Sequence, residues 1–195
     1  MGCSELQIIV LASDPGAGRA PPAEQPQPRG APPLPLLLSR ASAVAGHAVT
    51  VVLGARAATI APGLGRAPVS LVVDRDWTEG IAASIRAGLK SLPGSCDGAL
   101  LLRADQSGVT SADLQRLVDA WRRNPRAIIA AQFGGGHDLP AIFPRSEFPA
   151  LLALRGDQGA RALLRHPAMI VVGVPMPAAA TEAGQDTQPL AATAP

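Results

Sequence analysis

The chain has 195 residues and a formal net charge of +2, with 16% charged residues, so no global field points to nucleic acid or to an anionic membrane as a partner. Its length and 47% hydrophobic content fit one domain with a tail, and with three Phe, two Trp and no Tyr the core must be built from Ala, Val, Leu and Ile. Cys3 and Cys96 form no C-x-x-C pair, which excludes the common zinc and redox motifs and suits a reducing cytoplasm. The opening MGCSELQIIVLA has no charged region before its short apolar run, so it reads as a poor signal peptide. Leu6 stands where a myristoylation signal wants Ser or Thr, and no run reaches membrane-spanning length.

In chain order, residues 7–12 are a β-branched apolar run and predict a first strand. Residues 13–33 are rich in Pro, Gly and Ala and predict loop. A helix is expected over 34–46, a strand over 47–53, at most a short helical turn within 55–68, and a third strand over 69–73. A Trp77-x-x-Gly80 turn leads into a helix over 78–91, with Ile81, Ile85 and Leu89 (or Gly88) on one face. Residues 98–103 are apolar until Arg103, as suits a central parallel strand, and Asp105 follows. Ser111 is the expected N-cap of a helix reaching Arg123. A fifth strand is expected over 127–133, then a glycine loop at 134–136 and a short segment at 140–143. Helices near 146–153 and 157–165 and a strand at 169–174 complete the pattern. Alternating strands and helices predict a layered α/β fold with a mostly parallel sheet. It should occupy residues 1–177, with 178–195 a C-terminal segment of disorder-prone composition.

Strand, turn, helix, strand and acid, as read over 74–106, place a carboxylate at the carboxyl edge of a sheet, where such folds bind ligands. The wording DRDWTEGIAASIRAGLKSLPGSCDGALLLRADQ resembles the W-x-x-G-[MI]-x-x-S-[IL]-x-x-G-L segment and L-L-x-A-D-Q-P strand end of the MobA/MocA-like nucleotidyltransferases, at Trp77, Gly80, Ser84, Gly88, Leu89, Ala104, Asp105 and Gln106. The segment GDQGARALL at 156–164 is similar to that family's G-D-x-G-A-R-x-L-L. The resemblance implies a three-layer α/β/α, Rossmann-like nucleotidyltransferase fold. It implies transfer of CMP or GMP from a nucleoside triphosphate, CTP favoured, to molybdopterin or a related phosphate-bearing acceptor. A catalytically weakened paralogue that binds the acceptor, a molybdoenzyme or a chaperone is the alternative.

The same resemblance supplies the expected site. Asp105 would bind the catalytic Mg²⁺, which needs only one or two carboxylates beside phosphate and water; otherwise it caps the following turn. Asp186, in QDTQPL, aligns with part of a second metal motif, although Gly184 replaces that motif's first Asp. Gly80 and Ser84 would lie against base and ribose, and Trp77 is either core or part of that contact. The phosphate loop departs from the family. LASDPGAGRAPPAEQ keeps Leu11 and Ala12, offers Gly16 and Gly18 for an anion nest, and offers Arg19 as the catalytic cation. Glu24 stands where the family has Lys. Arg103 either pairs with Asp105, reaches a phosphate, or snorkels to water. Asp157 and Arg161 are the expected acceptor contacts, or else a favourable early Asp and a surface Arg on a helix. His137 and His166 lack partners at zinc spacing.

Overall fold

The computed structural model describes residues 5–13, 34–45, 48–65, 67–106, 108–134 and 136–176. Seven strands form one sheet in the order β3-β2-β1-β4-β6-β5-β7. They are β1 (Leu6–Ala12), β2 (Val49–Leu53), β3 (Ser70–Val73), β4 (Gly98–Arg103), β5 (Ile128–Phe133), β6 (Gly136–Pro144) and β7 (Val171–Pro175). β6 runs antiparallel to both β4 and β5, and the remaining pairs are parallel. The apolar runs read from the sequence are continuous because the central strands are covered on both faces. Along β1, Ile8 and Val10 enter one core while Ile9 and Leu11 enter the other. Along β4, Leu100 and Leu102 alternate in the same way with Ala99 and Leu101.

The first core lies under α1 (Leu34–Ala45), α2 (Ala57–Leu64) and α4 (Ser111–Arg123), the second under α3 (Ile81–Lys90), α5 (Phe148–Ala153) and α6 (Arg161–Leu164). The domain is thus three-layered, α/β/α. No helix among the described residues is long and apolar enough to cross a membrane.

Several elements differ from their sequence reading, each for a local reason. α2 is eight residues long despite Pro62 inside it; burial of Leu64, with Ala57, Ile60 and Ala61 packed beside it, overrides weak propensity. The helix expected over 78–91 is a 3₁₀ turn at Trp77–Glu79 followed by α3, and Gly80, at φ 95°, separates them. The helix expected over 157–165 is only the one-turn α6. α4 is capped by Thr110 rather than Ser111: the Thr110 hydroxyl accepts from the Asp113 N–H, and the Asp113 carboxylate accepts from the Thr110 N–H. The short segment at 140–143 is the end of nine-residue β6, and the register with β5 shifts between Ala130 and Ala131, opposite Leu139 and Pro140. Such an irregularity admits a proline, which has no N–H for the ladder.

α3 packs closely against the sheet at Gly88. A Cβ on Gly88 would lie 2.8 Å from Ile9 Cγ2 and 3.0 Å from Val52 Cγ2. This residue lets α3 settle directly on β1 and β2 and fixes its rotation about its own axis.

Candidate functional site

The chain leaves β1 for β2 and β3 on one side, then returns to place β4 on the other side. The crevice beyond the carboxyl ends of β1 and β4 is therefore the topological switch point, where open α/β sheets take their ligands. Asp105 lies there, two residues past the end of β4 and half-exposed. β1 and β4 are level at this edge: Leu11 is in register with Arg103, and the Leu11 carbonyl accepts from the Ala104 N–H at 3.0 Å.

The turn that carries Asp105 is braced from two sides. Gln106 Oε1 accepts from the Arg103 N–H at 3.0 Å, and Gln106 Nε2 donates to the Leu139 carbonyl at 2.5 Å, tying β4 to β6. Arg103 Nε donates to Asp105 Oδ1 at 2.9 Å, and its Nη2 pairs with Oδ2. Of the alternatives for Arg103, the structure contains the ion pair with Asp105. Beside it, Arg161 Nη2 pairs with Asp138 Oδ2, while Asp138 Oδ1 accepts from the Leu139 N–H at 2.8 Å. Burial lowers the pKa of Arg161 first, and repulsion from Arg165 and then Arg103 lowers it further. Arg103 and Arg161 therefore share one electrostatic neighbourhood.

Two expected nucleotide contacts need correction. Ser84 does not line a cleft: it is 1% exposed, and its Oγ donates to Asp74 Oδ2 at 2.7 Å. Asp74 is also buried, and its Oδ1 accepts from the Asp76 N–H at 2.9 Å. The pair fixes the turn that carries half-buried Trp77. Leu11 is the second correction. Its side chain is 3% exposed in the core, so it cannot reach a ligand, and its carbonyl accepts from the Ala104 N–H.

Gly80 also differs from its expected role. Its own N–H donates to the Trp77 carbonyl, and the Ala82 N–H donates to the Gly156 carbonyl at 3.1 Å. A carbonyl oxygen does face this helix N-terminus, as the dipole favours, but it belongs to the chain itself. Asp157 Oδ1 lies beside Gly80, 2.5 Å from where a Cβ would be. The Trp-x-x-Gly turn and the G-D-x-G-A-R loop, far apart in sequence, are one packed unit. Arg86 reinforces it by pairing with Glu79 at 2.7 Å and donating to the Leu154 carbonyl at 2.9 Å.

Ala12 is half-buried at the end of β1. Ser13, next to it, is buried, and its Oγ has no hydrogen-bond partner among the described residues. Gly16, Gly18, Arg19 and Glu24 lie outside the described residues, as does Asp186. Asp74 and Asp138 are the partners of two expected site residues, Ser84 and Arg161, and neither was itself expected in the site. Asp138 carried a signal, since it closes the glycine loop GGGHD before the Pro-Ala-Ile-Phe strand. Among the described residues no group of three His, Cys, Asp or Glu side chains could hold a metal.

A mostly parallel seven-stranded sheet covered on both faces by helices defines a three-layer α/β domain. The profile described as the MobA-like NTP transferase domain matches residues 27–170, and the chain belongs to that family. It is 29% identical over 135 residues to nicotine blue oxidoreductase of Paenarthrobacter nicotinovorans. That match covers 64% of each protein, so the chain spans under two thirds of this relative's length. The fold is similar to that of Rv0371c from Mycobacterium tuberculosis, with a TM-score of 0.74, 24% identity and 90% of each chain covered. A structure of Rv0371c in complex with manganese superposes with a TM-score of 0.70 at 23% identity and 88% coverage of each chain. Molybdopterin-guanine dinucleotide biosynthesis protein A from Archaeoglobus fulgidus matches with a TM-score of 0.58 and 17% identity, over 87% of this chain and 83% of that one.

Proposed function

We propose that this chain transfers a nucleotidyl group, CMP or GMP with CTP favoured as donor, to molybdopterin or a related phosphate-bearing acceptor. The observation that carries the reading is Asp105, braced at the switch point with Arg103 and Arg161 beside it. The similarity to a protein of molybdopterin-guanine dinucleotide biosynthesis supports the acceptor class. An acceptor phosphate oxygen would attack the α-phosphorus in line. The new P–O bond would form as the α–β phosphoanhydride breaks and pyrophosphate leaves. No covalent nucleophile is required. The protein's task is positioning and charge stabilisation. Arg103 and Arg161 would hold phosphate oxygens, and the Gly156–Asp157 loop would border the acceptor.

Mg²⁺ fits this edge in a limited way. Asp105 presents hard oxygens beside the crevice and is half-exposed, and an Mg²⁺ ion shared with phosphates and water needs only one or two carboxylates. Asp186 is the proposed second. Once bound, the ion would neutralise charge developing on the phosphates. The manganese complex of Rv0371c supports a divalent ion in this role. We place the activity on one domain, residues 1–177, with 178–195 carrying Asp186, in the cytoplasm.

Asp105→Asn tests the reading. Charge stabilisation through a metal is worth several kcal/mol, and each ~1.4 kcal/mol is tenfold in rate. Metal-dependent nucleotide transfer should fall about 100-fold or more, while the melting temperature barely moves because the side chain is half-exposed. An unchanged rate removes Asp105 from the chemistry.

One observation favours a second reading. Both Asp105 oxygens are engaged by Arg103, so the guanidinium already supplies the charge that a cation would bring. In that case the domain binds the acceptor, a molybdoenzyme or a chaperone without turnover. Calorimetric titration with CTP, GTP and Mg²⁺, run beside a turnover assay, separates the two. Binding without turnover supports the second.

A further inference from the structure

Arg103 grips Asp105 through both arms of its fork: Nε donates to Oδ1 at 2.9 Å and Nη2 pairs with Oδ2. Charge-assisted, bidentate pairs are the strongest hydrogen-bonded contacts a carboxylate makes with a side chain. The pair is also held in place from behind, because Gln106 fixes the Arg103 N–H and anchors the turn to the Leu139 carbonyl. A divalent cation arriving alone must displace the fork and then meet its positive charge. A phosphate arriving alone finds the guanidinium already neutralised. Arg161 lies in the same neighbourhood, paired with Asp138, and Arg103 is among the charges that disfavour its protonated form.

We infer that Arg103 is an exchange residue, releasing Asp105 to a divalent cation as its own fork passes to a polyphosphate, so that cation and anion bind this edge as a pair. This is a positioning role, and it rests on the reading of Asp105 as a cation ligand. The swap replaces one ion pair with two, cation on Asp105 and phosphate on Arg103. Each partner removes the obstacle to the other, so the coupling is reciprocal.

The test uses the full chain and Mn²⁺ alone, with free Mn²⁺ read by electron paramagnetic resonance. Wild type should bind weakly. Arg103→Gln should bind Mn²⁺ about fivefold tighter, the effect expected when a half-exposed ion pair stops competing. Arg103→Lys keeps the charge but not the fork, and should fall between the two. Adding Asp105→Asn to either background should weaken binding. Equal affinity in wild type and Arg103→Gln overturns the inference. So does Arg103→Lys matching wild type while Arg103→Gln is tighter, since bulk charge would then explain everything. If Asp105→Asn changes nothing, the Asp105 reading itself falls, a different failure. Near-UV circular dichroism checks each fold; if Arg103→Gln loses its signal, Arg103→Lys carries the test, and tightening there supports the exchange while none overturns it.

Discussion

Gly80→Ala should be the most damaging single-methyl change near the site. The added Cβ would lie 2.5 Å from the Gly156 carbonyl carbon, 2.5 Å from its oxygen and 2.5 Å from Asp157 Oδ1. Real Cβ contacts do not approach so closely, and two of the three atoms are backbone that cannot swing aside. Gly80 is also at φ 95°, ψ −178°, a region that is essentially glycine-only and costs about 1–3 kcal/mol for other residues. Overpacking adds about 1–3 kcal/mol. The sum, roughly 2–6 kcal/mol, is a large fraction of a typical domain's 5–15 kcal/mol stability. Urea unfolding followed by circular dichroism would measure it. At about 3 kcal/mol the melting temperature should fall by roughly 6–12 °C for a chain of this size. A loss under ~1 kcal/mol would show that the Gly156 loop moves away freely, and that the two motif segments are not one rigid unit.

Ser84→Ala should destabilise by about 1.5–3 kcal/mol, since it removes a hydrogen bond to a buried carboxylate; chemical denaturation checks this, and a change under ~0.5 kcal/mol would mean that Asp74 finds another donor. Asp113→Asn tests the α4 cap through pH. Burial alone would raise the Asp113 pKa, but the Thr110 N–H and hydroxyl and Arg116 outweigh it and hold the pKa below 3.8. A depressed carboxylate adds stability above its unfolded pKa, lost as pH falls through the folded value. The roughly 1 kcal/mol advantage of wild type should therefore be present at pH 6 and shrink steadily below about pH 4. Melting curves at both pH values read it, and a gap that persists in acid contradicts the cap.

The layering was legible because its signals are local. β1 and β4 are apolar on both faces in the sequence because both faces are covered, and Asp105 is conspicuous as the acid that ends such a run. The Ser84 error is more instructive. A hydroxyl one turn inside a helix looks the same whether it faces a crevice or a buried partner. The rotation of α3 decides, and Gly88 sets it by approaching Ile9 and Val52. Ser84 is four residues before Gly88 and so shares its sheet-facing side. Ile81, Ile85 and Gly88 were already legible as that face, so the contradicting signal was present in the sequence. The Gly80–Gly156 contact and the Arg161–Asp138 pair had no such signal, since each joins segments whose meeting depends on the finished sheet.

Family membership fixes the frame more tightly than the chemistry, and the charges at the edge show why. Among the described residues, Arg103 pairs with Asp105 and Arg161 with Asp138, while Arg165 lies close enough to disfavour the charge on Arg161, so these five groups carry an excess of one positive charge. A polyphosphate brings several negative charges, so this edge alone does not neutralise it. On the proposed function, a divalent ion entering with the nucleotide would supply the missing positive charge. On the same reading, nucleotide affinity at this edge would depend steeply on divalent ion. That is also what a carboxylate held by Arg103 until a phosphate arrives would produce. A relative named as an oxidoreductase shares the family's sequence pattern, so the pattern alone does not select the reaction. On the proposed function, the state of the Arg103–Asp105 pair, closed on itself or opened by cation and phosphate together, would separate a transferase from a binding domain built on the same sheet.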